Sequence, residues 1–108
     1  MNTAARQHNW ASFLKFYTKQ NRGRPTRLGL FEHQSDGFND YWLEAGLRFE
    51  GIDVDTRSET PNIEIVLENY EHTVAGVKEL KANFSTDDNE GLDIVDSEGN
   101  TTLLRFEK

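Results

Sequence analysis

The chain has no cysteine, which excludes disulfides, thiolate nucleophiles and cysteine-ligated zinc. A reducing compartment is the simplest setting for such a chain. Long apolar runs are also missing: the longest aliphatic stretch is Ile65-Val66-Leu67, far short of the ~20 residues a membrane helix needs. The opening residues Met1 to His8 carry no apolar stretch of the signal-peptide kind. A soluble, cytoplasmic protein without membrane contact is the expectation. The three histidines, His8, His33 and His72, stand apart, with none at the spacing of a helical metal pair. There is no G-x-S-x-G, Walker loop or G-x-G-x-x-G, so the common nucleophile and nucleotide motifs are absent. No catalytic residue, metal or cofactor is expected.

Acidic residues are missing from the first 30 positions, which hold Arg6, Lys15, Lys19, Arg22, Arg24 and Arg27 and carry +6. All nineteen acids lie beyond, where the charge is −13, and the whole chain carries −7. Such segregation lets a basic helix and an acidic sheet complement each other, or lets the basic end meet an anionic partner. Length bounds the rest: 108 residues suit one domain, residues 1–108. The apolar share is 35%, but aromatics at 11% supply much core area per residue, so the chain should fold unaided.

Trp10, Phe13, Leu14 and Tyr17 recur at the spacing of one helical face, with Phe16 widening the stripe. Asn9 or Thr3 supplies an N-cap; Lys19 and Arg22 suit the negative end of the helix dipole. Gly23 then closes the helix and Pro25 cannot continue it, which predicts a helix over 9–22.

From residue 26 to about 107 the period is that of strands. Leu28 and Leu30 share one face, Ser35 to Asp40 is rich in turn formers, and Leu43, Ala45, Leu47 and Phe49 alternate on the odd positions. Beyond Gly51 the apolar positions become even, at Ile52 and Val54, as a β-bulge or sharp bend requires. Ile63, Ile65 and Leu67 make the cleanest strand. Residues 74–84 read as strand, with a helical turn as the alternative. Leu92-Asp93-Ile94 and Leu104-Arg105-Phe106 flank the turn-rich 96–100 as a hairpin. The fold class is α+β: one N-terminal helix, then a bent antiparallel sheet of about five or six strands, of the small SH3- or Sm-like barrel kind.

Each candidate for chemistry has a plainer reading beside it. Asp53-Val54-Asp55 with Glu59, and Asp87-Asp88-Asn89-Glu90 with Asp93, Asp96 and Glu98, resemble calcium loops but miss the register that wraps an ion. Turns and exposed strand faces account for them. Arg22-Gly23-Arg24-Pro25 looks like the core of an AT-hook, whose arginines lie in a narrow minor groove, and Lys19 and Arg27 flank it. The same Gly and Pro also serve as a helix stop. Phe38, Tyr41 and Trp42 cluster beside a turn; they are either core anchors or a recognition patch for another protein.

The opening Trp10-x-x-Phe13-Leu14-x-x-Tyr17, the Gly23 break, Leu47-x-Phe49-x-Gly51-Ile52 and the closing Gly99-Asn100-x-Thr102-Leu103-Leu104-Arg105-Phe106 together cover most of the chain. In these features the sequence resembles a group of short bacterial proteins classified only as a domain of unknown function. The resemblance implies a bacterial origin and carries no activity, ligand or catalytic residue with it. The expected function is a non-enzymatic binding or accessory module whose partner is a protein, a second copy of the chain included. Nucleic-acid binding through Lys19, Arg22, Arg24 and Arg27 is the alternative, and a small metal-dependent protein or enzyme the third.

Overall fold

The structure is a computed structural model that describes residues 3–34, 37–57, 60–83 and 90–107. Helix α1 (Thr3–Asn21) leads into seven strands: β1 (Pro25–Gln34), β2 (Gly37–Asp55), β3 (Asn62–Leu67), β4 (Tyr70–Val74), β5 (Val77–Asn83), β6 (Gly91–Asp96) and β7 (Thr101–Phe106). They form one antiparallel sheet in the order β4-β3-β2-β1-β7-β6-β5.

That order dictates the shape. β4 and β5 follow each other in sequence, joined only by Ala75 and Gly76, yet they occupy opposite edges of the sheet. A link that short reaches no further than about 11 Å. The sheet must therefore curl until its edges meet at this corner. Gly76, at φ 64°, donates to Asn62 Oδ1 at 3.1 Å, and Val77 N donates to the Pro61 carbonyl at 2.8 Å, which fixes the corner.

β2 supplies the curl. Its first part pairs with β1 and its last part with β3, and the register slips three times, leaving Leu43, Gly46 and Glu50 as extra residues. Each bulge bends the strand and sharpens its twist. The parity change anticipated at Gly51 is present: Phe49 and Ile52 are both buried. The slip at Gly46, which adopts φ 87°, explains why Ala45 leaves the odd face and stands exposed.

Where β2 has turned away from β1, the helix takes over. Thr18 Oγ1 accepts from Ile52 N at 3.1 Å and donates to Ile52 O at 3.2 Å, so one hydroxyl satisfies both backbone groups there. Leu14 and Tyr17 enter the trough and join Leu28, Phe49, Ile63, Ile65, Leu67, Leu92, Ile94, Leu104 and Phe106 in a single core. Tyr17, Phe49 and Phe106 pack around one another, with ring centroids 5.5 to 6.3 Å apart.

Four expectations are corrected. The helix begins at Thr3, not at residue 9, because Ala4 to Gln7 are good helix formers and Asn9 lies inside the helix. Phe16 does not widen the buried stripe; it is 58% exposed. The strands among the described residues number seven, not five or six. The strand not anticipated is β4, in which only Val74 is fully buried, entered through a Glu68-Asn69 turn with Asn69 at φ 59°. Finally, the 74–84 stretch is divided: Val74 ends β4 and β5 starts at Val77, with no helical turn in the described residues.

Candidate functional site

Strand alternation gives β1 two faces. Thr26 and Leu28 point into the core, so Arg27, Gly29 and Phe31 point outward. The ladder puts Trp42 opposite Gly29, Asp40 opposite Phe31 and Ala45 opposite Arg27. On the other side it puts Leu103 beside Gly29, Arg105 beside Arg27 and Thr101 beside Phe31. The indole of Trp42 lies flat over Gly29: a Cβ built at Gly29 would sit 2.7 Å from the ring. The guanidinium of Arg27 lies over the same indole at 4.7 Å from its centroid. Trp42 is nevertheless 49% exposed. The result is an aromatic plate that rests on the Gly29 main chain, has the Arg27 guanidinium over it and stays half-exposed.

The neighbouring aromatic belongs elsewhere. Tyr41 immediately precedes Trp42 in the strand and so projects from the opposite face, where it pairs with Leu30. Its hydroxyl is held by Glu32, and that hydrogen bond raises the phenol above its ordinary value. Phe38 pairs with His33 at the end of the hairpin; the side chains of both lie outside the described ones. The structure therefore sends Tyr41 and Trp42 to opposite faces rather than into one patch. Trp42 and Tyr41 are both exposed, so neither anchors the core. Arg27 and Gly29 are the partners sequence reasoning missed. A glycine between two leucines inside a strand was the available signal, since it marks close approach of another group.

The four candidate phosphate contacts are dispersed. Helix α1 ends at Asn21 and Gly23 takes φ 90°, so Arg22-Gly23-Arg24-Pro25 serves as helix exit. Arg24 forms a bidentate pair with Glu90, at 2.9 and 3.1 Å, and also donates to Asn21 Oδ1 at 2.9 Å. Its guanidinium lies 4.4 Å over Phe106. Lys19 and Arg22 line an open groove of about 720 Å³ between α1 and β2–β4. Lys15 joins them on the helix wall; Glu50, Asp53, Glu64 and Glu71 line the other. Among the described residues no ion pair crosses it. Basic helix thus faces acidic sheet, with Arg27 on the far side of the fold.

The carboxylates of the suspected ion loops have local work. Asp55 is held by Arg57, whose hydrogen bonds bring its carboxyl down to about 2. Asp96 Oδ1 accepts from the amides of Glu98 and Asn100 and shapes the β6–β7 turn. Asp93 pairs with Arg105 at 2.6 Å. Asp53 Oδ1 accepts from the amide of Val54 at 2.8 Å. Glu59 and residues 87–89 lie outside the described residues. Among the described residues no three acidic or histidine side chains converge as metal ligands would. His72 stands alone on β4, half-buried, and burial lowers its pKa. No described helix is long and apolar enough to cross a membrane. No protein-family model, curated protein or solved structure matches the chain.

Proposed function

We propose that the protein is a non-enzymatic binding module for another protein, and that its contact surface is the outer face of β1–β2 centred on Trp42. The observation that carries this reading is the half-exposed indole fixed between the Gly29 backbone and Arg27. Trp and Arg are the residues most enriched among interface hot spots. A ring already ordered loses little further freedom on binding, and ordering costs about 0.5–1.5 kcal/mol for each side chain immobilised. The curled sheet then acts as a rigid scaffold, in the manner of small SH3- or Sm-like barrels, an analogy of form alone. The resemblance to short bacterial proteins adds an origin and no activity. Nucleic-acid binding gains nothing from the geometry, because phosphate contact by Arg24 would require releasing Glu90.

The test is photo-crosslinking from position 42 in cells producing the full chain, with position 68, on the β3–β4 turn, as control. Discrete protein adducts from position 42 and none from position 68 are expected. Adducts to nucleic acid alone, or none, would overturn the reading.

A further inference from the structure

We infer that the free edge of β4 is a docking surface separate from the Trp42 face, and that it takes an extended, basic segment of another protein as an added antiparallel strand. The sheet order leaves two edges, β4 and β5. β5 is defended against pairing: a bulge interrupts it between Val77 and Glu79, and Lys78 and Lys81 lie along it. β4 keeps a regular register to β3 and carries no lysine, proline or bulge. The direction of its backbone groups follows from β3. Glu68, the residue after β3, donates its N–H to Arg48 O at 2.9 Å, on the β2 side. The even residues of β3 therefore turn their backbone groups to β2, and Ile63, Ile65 and Leu67 turn theirs to β4. Their partners Val74, His72 and Tyr70 use their groups on β3, which leaves Glu71 and Thr73 each directing an N–H and a C=O to the open edge. Among the described residues no other segment pairs with them.

The two faces beside this edge select the occupant. On the outer face Glu71 and Thr73 are exposed, and the ladder sets Glu64 and then Asp53 behind Thr73. Glu71 enters no ion pair among the described residues. Glu64 acts on Arg57 without an ion pair, and Asp53 holds only the amide of Val54. Lysine or arginine at the outward positions of an added strand answers this charge, since opposite charges across strands are favourable and like charges are not. A second copy would instead bring its own Glu71 to the same acidic face. The inward positions meet Tyr70, His72 and Val74. Burial lowers the pKa of His72, which keeps its imidazole uncharged at neutral pH. A cavity of about 460 Å³ opens against the edge, lined by His72 to Gly76, by Leu30 and Thr102 and by the β6–β7 turn, so small apolar side chains suit these positions. The partner is a strand of alternating basic and small apolar residues, held by backbone bonds and selected by its side chains. It runs beside Glu71 to Ala75, and Glu68, turned to β2, stands clear of it.

Nuclear magnetic resonance of the isotope-labelled full chain, titrated with a capped peptide of about seven alternating lysine and valine residues, is the test. The amides of Glu71 and Thr73 should shift most and exchange more slowly with solvent, with a dissociation constant on the order of 0.1 mM, as a small contact gives. In antiparallel pairing the lysines stand opposite Glu71 and Thr73 and bond to them. N-methylation of the lysine amides should therefore abolish binding, and N-methylation of the valine amides should not. A peptide with glutamate in place of lysine should not bind. Glu71→Lys should weaken binding of the lysine peptide about fivefold, through one lost and reversed surface pair. Thr73→Pro, which removes an edge N–H and leaves the ladder to β3 intact, should weaken it about tenfold. The methylated peptides and the exposed Glu71→Lys carry the test if Thr73→Pro does not fold. Equal binding of the two methylated peptides, or of the lysine and glutamate peptides, overturns the inference, as does the absence of any shift at millimolar peptide. Concentration-dependent shifts at Glu71 and Thr73 without peptide would put a second copy on the edge and also overturn it. Shifts centred on Trp42 instead would sink this inference while leaving the proposed function standing.

Discussion

At the start of β1 the guanidinium of Arg24 lies 4.4 Å over Phe106; a few residues on, that of Arg27 lies 4.7 Å over Trp42. The chemistry is the same and the surroundings are opposite. Arg24 sits under the end of α1, paired twice with Glu90 and once with Asn21, against an aromatic ring that is 1% exposed. Arg27 sits on the outer face, against a ring that is 49% exposed. Arg24 is only part-buried, its side chain 35% exposed, but its charged hydrogen bonds to Glu90 and Asn21 tie the end of α1 to the residue before β6. An exposed cation–aromatic contact contributes only about 0.5–1 kcal/mol. The first arginine therefore belongs to the fold, and the second shapes a surface.

The strongest way to break this contrast is to remove one residue from each side. Leu14→Ala should cost about 2–5 kcal/mol, since it empties a fully buried site beneath the helix. Trp42→Ala should cost no more than about 1 kcal/mol, the upper end for a cross-strand pair. Urea denaturation measures both; a midpoint untouched by Leu14→Ala would show that α1 is not part of the core. Next in size is Arg24→Ala, expected to cost about 1.5–3 kcal/mol through the lost charged hydrogen bonds. Arg27→Ala should cost no more than about 1 kcal/mol, the upper end for an exposed cation–aromatic contact. Equal losses at the two arginines would erase the distinction.

A third test sharpens the inner side by pH. Burial raises the Tyr17 phenol above its ordinary 10.0, with Glu90 adding to the effect and Arg24 and Arg105 opposing it. The folded state therefore holds this proton more tightly than the unfolded chain. Its contribution is complete below pH 10 and is lost as pH rises through the raised value, because the unfolded state alone releases the proton. Wild type should lose stability progressively above pH 10, and Tyr17→Phe should lose less over the same range. Parallel decline of the two proteins would place the alkaline sensitivity elsewhere.

The inner side was also the more legible in the sequence. Leu28, Phe49, Ile52 and the Ile63-Ile65-Leu67 alternation announce themselves by period, because burial on one face leaves a regular trace. The helix exit at Gly23 was readable from turn chemistry. β4 was not, since its residues are mostly half-exposed and its turn uses Asn69 without a glycine after it. The outer face was legible only in part. Tyr41 and Trp42 stood out as aromatics, but sequence proximity merged two side chains that strand alternation sends to opposite faces. The Arg27–Trp42 contact depends on two bulges that shift β2 against β1, and no local pattern encodes a register. Arg24 looked like a nucleic-acid residue because its partner, Glu90, is 66 positions away.

The smallest expected effect on stability is also the most pointed. In Gly29→Ala the new Cβ would sit 2.7 and 2.8 Å from two carbons of the Trp42 ring, closer than such atoms approach. Something must move, and the indole is half-exposed while the backbone is held by strands on both flanks. The ring should swing out. Gly29 is not among the positive-φ residues, so alanine fits the strand and reduces the freedom of the unfolded chain, worth about 0.4–1 kcal/mol. Loss of the indole contact offsets that gain, and the net change should lie within about 1 kcal/mol of zero. Fluorescence should report what stability does not. With Trp10→Phe leaving Trp42 as the only indole, Gly29→Ala should shift emission to the red and make it easier to quench with acrylamide. Unchanged emission in a folded Gly29→Ala protein would mean that Trp42 does not rest on Gly29, and the ordered plate on which the outer face depends would be lost with it.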